Sequence, residues 1–373
     1  MSMRMVAAGL LVSASAYGQP VSPEKPPLAE EVFKNVQALR GLPVNEFLGV
    51  MGFFSASLGK SCVDCHESDS GWGNYVSDKN PNKRKARAMI RMASEINKSY
   101  FGGRQVVTCY SCHRGGPHPK VTPNLMALYS APLEDEPDDV VQQTRGASSH
   151  DQILGKYVQV LGGAQRLATL TSFVARGTSL AYGVEAEKRP TEIYGKGPNQ
   201  RATVIHSENG DTITVYDGHT GWISAPNLPV PVLPLTGGDL EGAGLDAKLS
   251  FPAAIGQALT RWRVGAPAEI DGQEVQVLQG TSEGGTLVTL YFGSESGLLV
   301  RQLRYGASPV GHIPTEIDYS DYREVAGVKM PFRWTVTWLD GRETFELTDV
   351  QVNVPVDASR FAKPAPPSKR AAQ

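Results

Sequence analysis

Every cysteine in this chain belongs to one of two pentapeptides, Cys62-Val63-Asp64-Cys65-His66 and Cys109-Tyr110-Ser111-Cys112-His113. With only four cysteines in 373 residues, no other thiol chemistry competes with this pattern. C-x-x-C-H is the attachment signature of c-type haem: the two thiols reach the two vinyl groups of one porphyrin, and the histidine that follows lies under the iron. Cys62, Cys65, Cys109 and Cys112 are therefore read as anchors for two covalently bound haem c groups. His66 and His113 would be the proximal ligands, leaving one axial position on each iron for a second group.

Other uses of the same cysteines fit less well. A zinc ribbon places its two pairs roughly 15–20 residues apart, whereas Cys65 and Cys109 are much further apart and zinc gives no reason for a histidine after each pair. Disulfides within each pair would close tiny loops and remove little entropy from the unfolded chain. A thioredoxin-like redox pair needs a surrounding βαβ pattern, and none is visible near either motif.

The first residues have the form of an export signal: Arg4, an apolar run from Met5 to Val12, then Ser13, Ala14, Ser15 and Ala16. The run is shorter than the roughly 20 apolar residues a membrane-spanning helix needs. The mature protein is therefore expected to be periplasmic or extracellular, without a transmembrane helix once residues 1–18 are removed. A formal net charge of -2 gives no electrostatic basis for nucleic-acid binding.

Candidates for the second axial ligand lie on helices ahead of each motif. Pro43 to Leu58 is apolar and helix-compatible, carries Met51, and is followed by Gly59 as a C-cap. A thioether opposite histidine stabilises ferrous iron and raises the potential. Lys83 to Tyr100 forms a second helix with Met89 and Met92 three residues apart, so either could reach an iron. Trp72, Tyr75, Phe101 and Tyr110 are candidates to pack on porphyrin faces. Arg84, Arg87, Arg91 and Arg114 are candidates to pair with propionates, since a guanidinium fork matches a carboxylate. Lys79, Lys83, Arg84, Lys85, Arg87 and Arg91 also form a basic patch that could steer an acidic redox partner.

The segment Val32 to Pro119, with VFKNVQALRGLPVNEFLGVMGFFSASLGKSCVDCH and ARAMIRMASEINKSYFGGRQVVTCYSCHRG, resembles the cytochrome c subunit of photosynthetic reaction centres. In that family each Met-ligated haem is a unit of helix, turn and C-x-x-C-H. The resemblance pairs Met51 with the first motif and prefers Met89 for the second, with Met92 as the alternative. It implies periplasmic electron transfer between a redox donor and acceptor, including donation to a membrane redox complex such as a reaction centre or a respiratory complex. The best-known members carry four haems where this chain has two motifs.

Beyond Pro119 the chain is loop-like, with an acidic run at Glu134, Asp135, Glu136, Asp138 and Asp139. A helical stretch from Ser149 to Leu170 leads into strands beginning at Ser172, with alternation clearest in Thr212-Ile213-Thr214-Val215-Tyr216. The expected fold is α+β in two domains: a mainly α-helical di-haem cytochrome c domain over 28–120, then an antiparallel β-rich, half-barrel-like domain over 149–363. A linker over 121–148 would join them, and 364–373 would be a disordered tail. The second domain resembles the lipoprotein-carrier half-barrels of bacterial envelopes and is expected to serve docking or lipophilic ligand binding. The scattered His150, His206, His219 and His312 come with no nucleophile motif, so an electron carrier is expected rather than an enzyme. The alternative is a di-haem peroxidase-type enzyme with one open haem, which requires a missing or displaceable distal ligand.

Overall fold

The computed structural model describes residues 25–67, 71–123, 125, 140–182 and 187–367. The export signal, the acidic run and the last six residues lie outside them.

The N-terminal part is helical. A short helix α1 (Ala29–Val32) precedes α2 (Val44–Leu58), which ends where Gly59 takes a left-handed conformation. A 3-10 turn at Cys62–Asp64 and another at Gly71–Val76 lead to α3 (Pro81–Phe101), started by Asn80 as N-cap with Pro81 in the first turn. The helix α4 (Cys109–His113) coincides with the second pentapeptide.

After α5 (His150–Val160) and α6 (Ala164–Ala168) the chain becomes a sheet. In chain order its strands are β1 (Ser172–Ala181), β2 (Lys188–Lys196), β3 (Gln200–Ile205), β4 (Thr212–Tyr216), β5 (Gly221–Ser224) and β6 (Val232–Pro234). Helix α7 (Gly237–Leu249) interrupts them. There follow β7 (Thr260–Val264), β8 (Ala268–Ile270), β9 (Gln273–Thr281), β10 (Leu287–Gly293) and β11 (Leu299–Ser308). The last are β12 (Gly311–Val325), β13 (Val328–Trp338) and β14 (Gly341–Val352). All pairings are antiparallel, and the strand path runs open from β6 to β7, with β1 and β14 meeting at its centre and β8 added on β9. The expected α+β architecture, helices first and an unclosed antiparallel sheet second, is the observed one.

Alternation along the strands divides the core. On β1, Phe173 and Ala175 join the cluster with Trp334, Phe345 and Phe251, while Val174 between them faces the other side with Tyr194 and Phe361. A third cluster, with Leu278, Leu290 and Phe292, is covered by Tyr157 and Leu161 from α5 and its C-terminal end. The buried members of the three clusters begin at Ile153, Leu170 and Val174 respectively.

Helix α2 joins the two parts. Asn45 donates to Asp239 Oδ2 at 2.9 Å, and the Thr236 hydroxyl lies 2.7 Å from both Asn45 Oδ1 and Glu46 Oε1. Further along, Gly49 faces Ile313 of β12 and Gly52 faces Asp340 in the β13–β14 turn. At its end the Gly115 N–H donates to Ser57 O at 3.0 Å.

Sequence alternation marks strands such as β4, while β5 to β8 and β12 carry no such mark and emerge only in the structure. The helical stretch from Ser149 splits where Gly162 and Gly163 take positive φ. β12 contains Pro314 and alternating acidic residues, and is a strand because it pairs with β11 and β13 along its length. Helix α7 is glycine-rich and intrinsically poor as a helix. Close approach explains its glycines: a Cβ on Gly238 would lie 2.6 Å from Gly306 Cα, and one on Gly242 would strike Arg304.

Gly59 supplies a test of the α2–α4 contact. It has φ 58° and a Cβ there would lie 2.5 Å from Gly115 O, whereas Gly41 has φ 83° with nothing within 4 Å. Gly59→Ala is expected to destabilise the protein by about 1–2 kcal/mol for the left-handed backbone and further for the collision. Gly41→Ala should cost only the backbone part, so equal urea midpoints for the two variants would contradict this packing.

Candidate haem-binding site

Each pentapeptide is a single helical turn closed by its own cap. Ser61 N–H donates to Asp64 Oδ2 at 2.7 Å and its hydroxyl donates to the same oxygen at 2.9 Å. These bonds hold the Asp64 carboxyl below its ordinary pKa. In the second motif Thr108 N–H donates to Ser111 Oγ at 3.0 Å and Thr108 Oγ1 accepts from Ser111 N–H at 3.3 Å. A turn started in this way puts residues i and i+3 on one face. Cys62 with Cys65 and Cys109 with Cys112 are therefore side by side, each pair followed by its histidine.

Neighbouring segments fix both turns in place. Asn80 and Asn82 at the start of α3 donate to Asp64 O at 3.0 and 2.9 Å. Asn97, the only buried residue of α3 among those described, accepts from Val106 and Val107 N–H and donates to Val107 O at 2.8 Å. It thereby clamps the approach to Cys109. Nothing in the sequence distinguished Asn97 from a solvated helix residue.

The histidines differ. His113 Nδ1 lies 3.0 Å from Gly116 O. With Nδ1 donating, the Nε2 lone pair is left for a metal, which is the usual outer contact of a ligating histidine. His66 stacks on Tyr75 with ring centroids 4.3 Å apart. Its buried Nδ1 has no partner at hydrogen-bond geometry among the described residues. Burial, with Lys83 nearby, pushes the His66 pKa down and keeps the ring neutral, while the Tyr75 backbone acts in the opposite direction. Burial also pushes the Cys65 and Cys109 thiols up, the opposite of what a preformed thiolate requires. All four cysteines are free. Among the described residues no three His, Cys, Asp or Glu side chains converge as a metal-holding group.

Two of the expected basic residues are engaged in the fold. Arg87 binds Asp78 at 3.0 Å and donates to Asn35 O at 3.2 Å, and Lys83 donates to Tyr75 O and Ser77 O at 2.7 Å. The solvent-facing basic surface is instead Lys79, Arg84, Lys85 and Arg91. Trp72 meets Tyr75 edge-on and donates to Asn227 O at 3.0 Å, linking this aromatic group to the sheet part.

Met51 lies on α2 roughly 150° around the helix from the Gly49–Gly52–Phe53 face that rests on the sheet, at 100° per residue. Ile90, Ala93, Ser94 and Asn97 line a cleft of about 260 Å³ that also contains Cys109. Met89 lies about 90° from the centre of that face and Met92 about 150°.

The helical part leaves apolar surface uncovered around both motifs. Met89 and Met92 are 43% and 47% exposed, and Val63, Trp72, Val106 and Tyr110 are also exposed. Soluble folds seldom expose grouped apolar surface without a partner for it. Haem would cover it, and the paired thiols, the neutral His66 and the oriented His113 fit that group.

Residues 8–144 match the family described as photosynthetic reaction centre cytochrome C subunit. The N-terminal region is similar to that subunit. It is 35% identical over 105 residues to the photosynthetic reaction center cytochrome c subunit of Thermochromatium tepidum, covering 27% of this chain and 25% of the relative. With the same subunit from Rubrivivax gelatinosus it is 33% identical, covering 27% of each chain. The chain thus spans about a quarter of the length of the curated relatives it matches. Among solved structures, it is similar to a DUF1329 family protein from Desulfovibrio piger (TM-score 0.41, 12% identity, 58% of this chain and 98% of the other). It is also similar to a LolA superfamily protein from Nitrosomonas europaea (TM-score 0.40, 14% identity, 58% and 99%). At such scores the architecture rests on the strand pairing itself. No helix among the described residues is long and apolar enough to cross a membrane.

The network around Asp78 is testable through pH. Hydrogen bonds from Arg87 and Asn35 and the charge of Arg87 hold its carboxyl far below the ordinary value. A depressed carboxyl stabilises the fold above the unfolded-state value of about 3.9 and loses that contribution as pH falls through the folded-state value. The melting-temperature gap between the wild type and Asp78→Asn should be widest near neutral pH and shrink below pH about 3. A gap that grows in acid would contradict the ion pairing.

Proposed function

We propose that this chain is a periplasmic electron carrier with two c-type haems. The observation that carries the reading is a pair of capped C-x-x-C-H turns set in apolar surface that the protein itself does not cover. Cys62, Cys65, Cys109 and Cys112 provide the thioether links, and His66 and His113 the proximal ligands. Met51 stands on the free face of α2 ahead of the first motif, and Met89 flanks the cleft at the second more closely than Met92 does; they are the proposed distal ligands. When bound, the haems supply a reversible one-electron couple at each iron.

The protein's residues tune and address that couple. Gly116 O fixes the tautomer of His113, and Lys83 and Arg87 place positive charge near His66. Lys79, Arg84, Lys85 and Arg91 present a basic surface to an acidic redox partner, whose encounter rate should fall as salt rises. The similarity to reaction-centre subunits supports a membrane redox complex as one partner, a reaction centre or a respiratory complex. In this reading residues 28–120 are the cytochrome domain and 149–363 a docking or ligand-binding domain, joined through 121–148, with 1–18 as the export signal and 364–373 as a tail.

Expression with haem-ligation machinery and a pyridine haemochrome assay should give two haems per chain and low-spin spectra. The ferric band of Met ligation should weaken in Met51→Ala and in Met89→Ala and persist in Met92→Ala. A colourless protein would overturn the reading. High-spin resting iron with peroxide turnover would replace it with a di-haem peroxidase.

A further inference from the structure

The sheet part forms one wall of an open cavity of about 690 Å³, bounded by the Phe173–Trp334 face of the sheet, by α7, and by Asn45, Leu48 and Gly49 of α2. This is within the range of small-molecule sites, about 300–1,000 Å³. Phe173, Ile193, Trp334 and Phe345 make much of its wall apolar. Arg201, on β3, also lines it.

Arg201 is poorly matched to those surroundings. A guanidinium carries five N–H donors and stays charged in proteins. Among the described residues this one donates to Ser250 Oγ at 2.6 Å and lies 5.8 Å from the centre of the Trp334 ring. Asp246 is the carboxylate whose charge reaches it. Asp246 Oδ1, however, already accepts from Arg304 at 3.0 Å and from Gln302 at 3.1 Å. Asp239, the acidic residue where α7 meets α2, is held by Asn45. Among the described residues Arg201 therefore stands beside the apolar wall with most of its donors unused; of the other charged side chains lining the cavity, Arg304 is committed to Asp246 and Glu343 to Arg189, and Lys329, Asp239 and Asp340 complete the set.

We propose that this cavity binds an amphipathic anion, with a single alkyl or acyl chain against the aromatic wall and a carboxylate or phosphate head on Arg201. The fork of a guanidinium pairs with two oxygens of either head, and the apolar wall gains by covering the chain. The proposal concerns the sheet part and is independent of haem ligation.

The test is calorimetric titration of the full, haem-loaded chain with dodecanoate, dodecyl phosphate and 1-dodecanol, kept monomeric. At least one of the two anions should bind at least about ten-fold more tightly than the alcohol, the size of one charge-assisted bond. Whichever anion binds tighter identifies the head. Arg201→Met should bring anion and alcohol to parity, with far-UV circular dichroism and haem count unchanged, while the exposed Arg263→Met keeps the preference. If Arg201→Met fails to fold, Arg201→Lys, which keeps the charge and loses the fork, should reduce the preference several-fold. Equal binding of all three compounds, no binding of either anion, or a preference that survives both Arg201 variants would overturn the proposal. A changed haem count with intact anion binding would count against the electron-carrier reading alone.

Discussion

Helix α2 has to satisfy several surfaces at once, and the arrangement of the molecule follows from that. Its first turn is tied to the start of α7 through Asn45, Glu46 and Thr236. Its middle rests on the sheet through residues too small to hold it off, and its end receives the Gly115 N–H just beyond the second pentapeptide. With those contacts made, the side left over carries Met51. In the proposed reading, that side is the one left to offer a thioether to a prosthetic group, since the other faces are occupied by protein.

The two parts of the chain are stabilised in different ways. The sheet part buries three apolar clusters of its own. The helical part is organised by polar contacts: Asn80 and Asn82 on Asp64 O, Asn97 on the approach to Cys109, and the Asp78–Arg87–Lys83 group around the loop before α3. Such contacts set geometry well but contribute modestly to net stability, since each replaces hydrogen bonds to water. Among the described residues the helical part buries Ala29, Val44, Val50 and Phe53, fewer apolar side chains than the sheet part does.

The candidate site is legible in the sequence because its pattern is written in consecutive residues. Cys, Cys and His at fixed spacing need no tertiary information, and Gly59 as a C-cap follows from local helix chemistry. Asn97, Asn80 and Asn82 could not be found that way, because their importance lies in backbone groups brought to them by folding. In the sequence Lys83 and Arg87 count only as members of a basic patch, for the same reason. In the sheet, strands with clear alternation such as β4 were evident. β12, with its proline and acidic residues, and the glycine-rich α7 exist because neighbours impose them, a tertiary override of local preference.

The location of the buried clusters bears on the order in which such a chain can be assembled. None of their buried members precedes Leu170 in the sheet's own cluster or Ile153 in the others, and Cys62 and Cys112 are exposed with their partners half-covered. The sheet can therefore reach its final packing while all four thiols remain within reach of whatever attaches the porphyrins. In the proposed reading, folding and cofactor attachment need not compete for time, and a chain waiting for its haems would carry a finished scaffold beside an unfinished site.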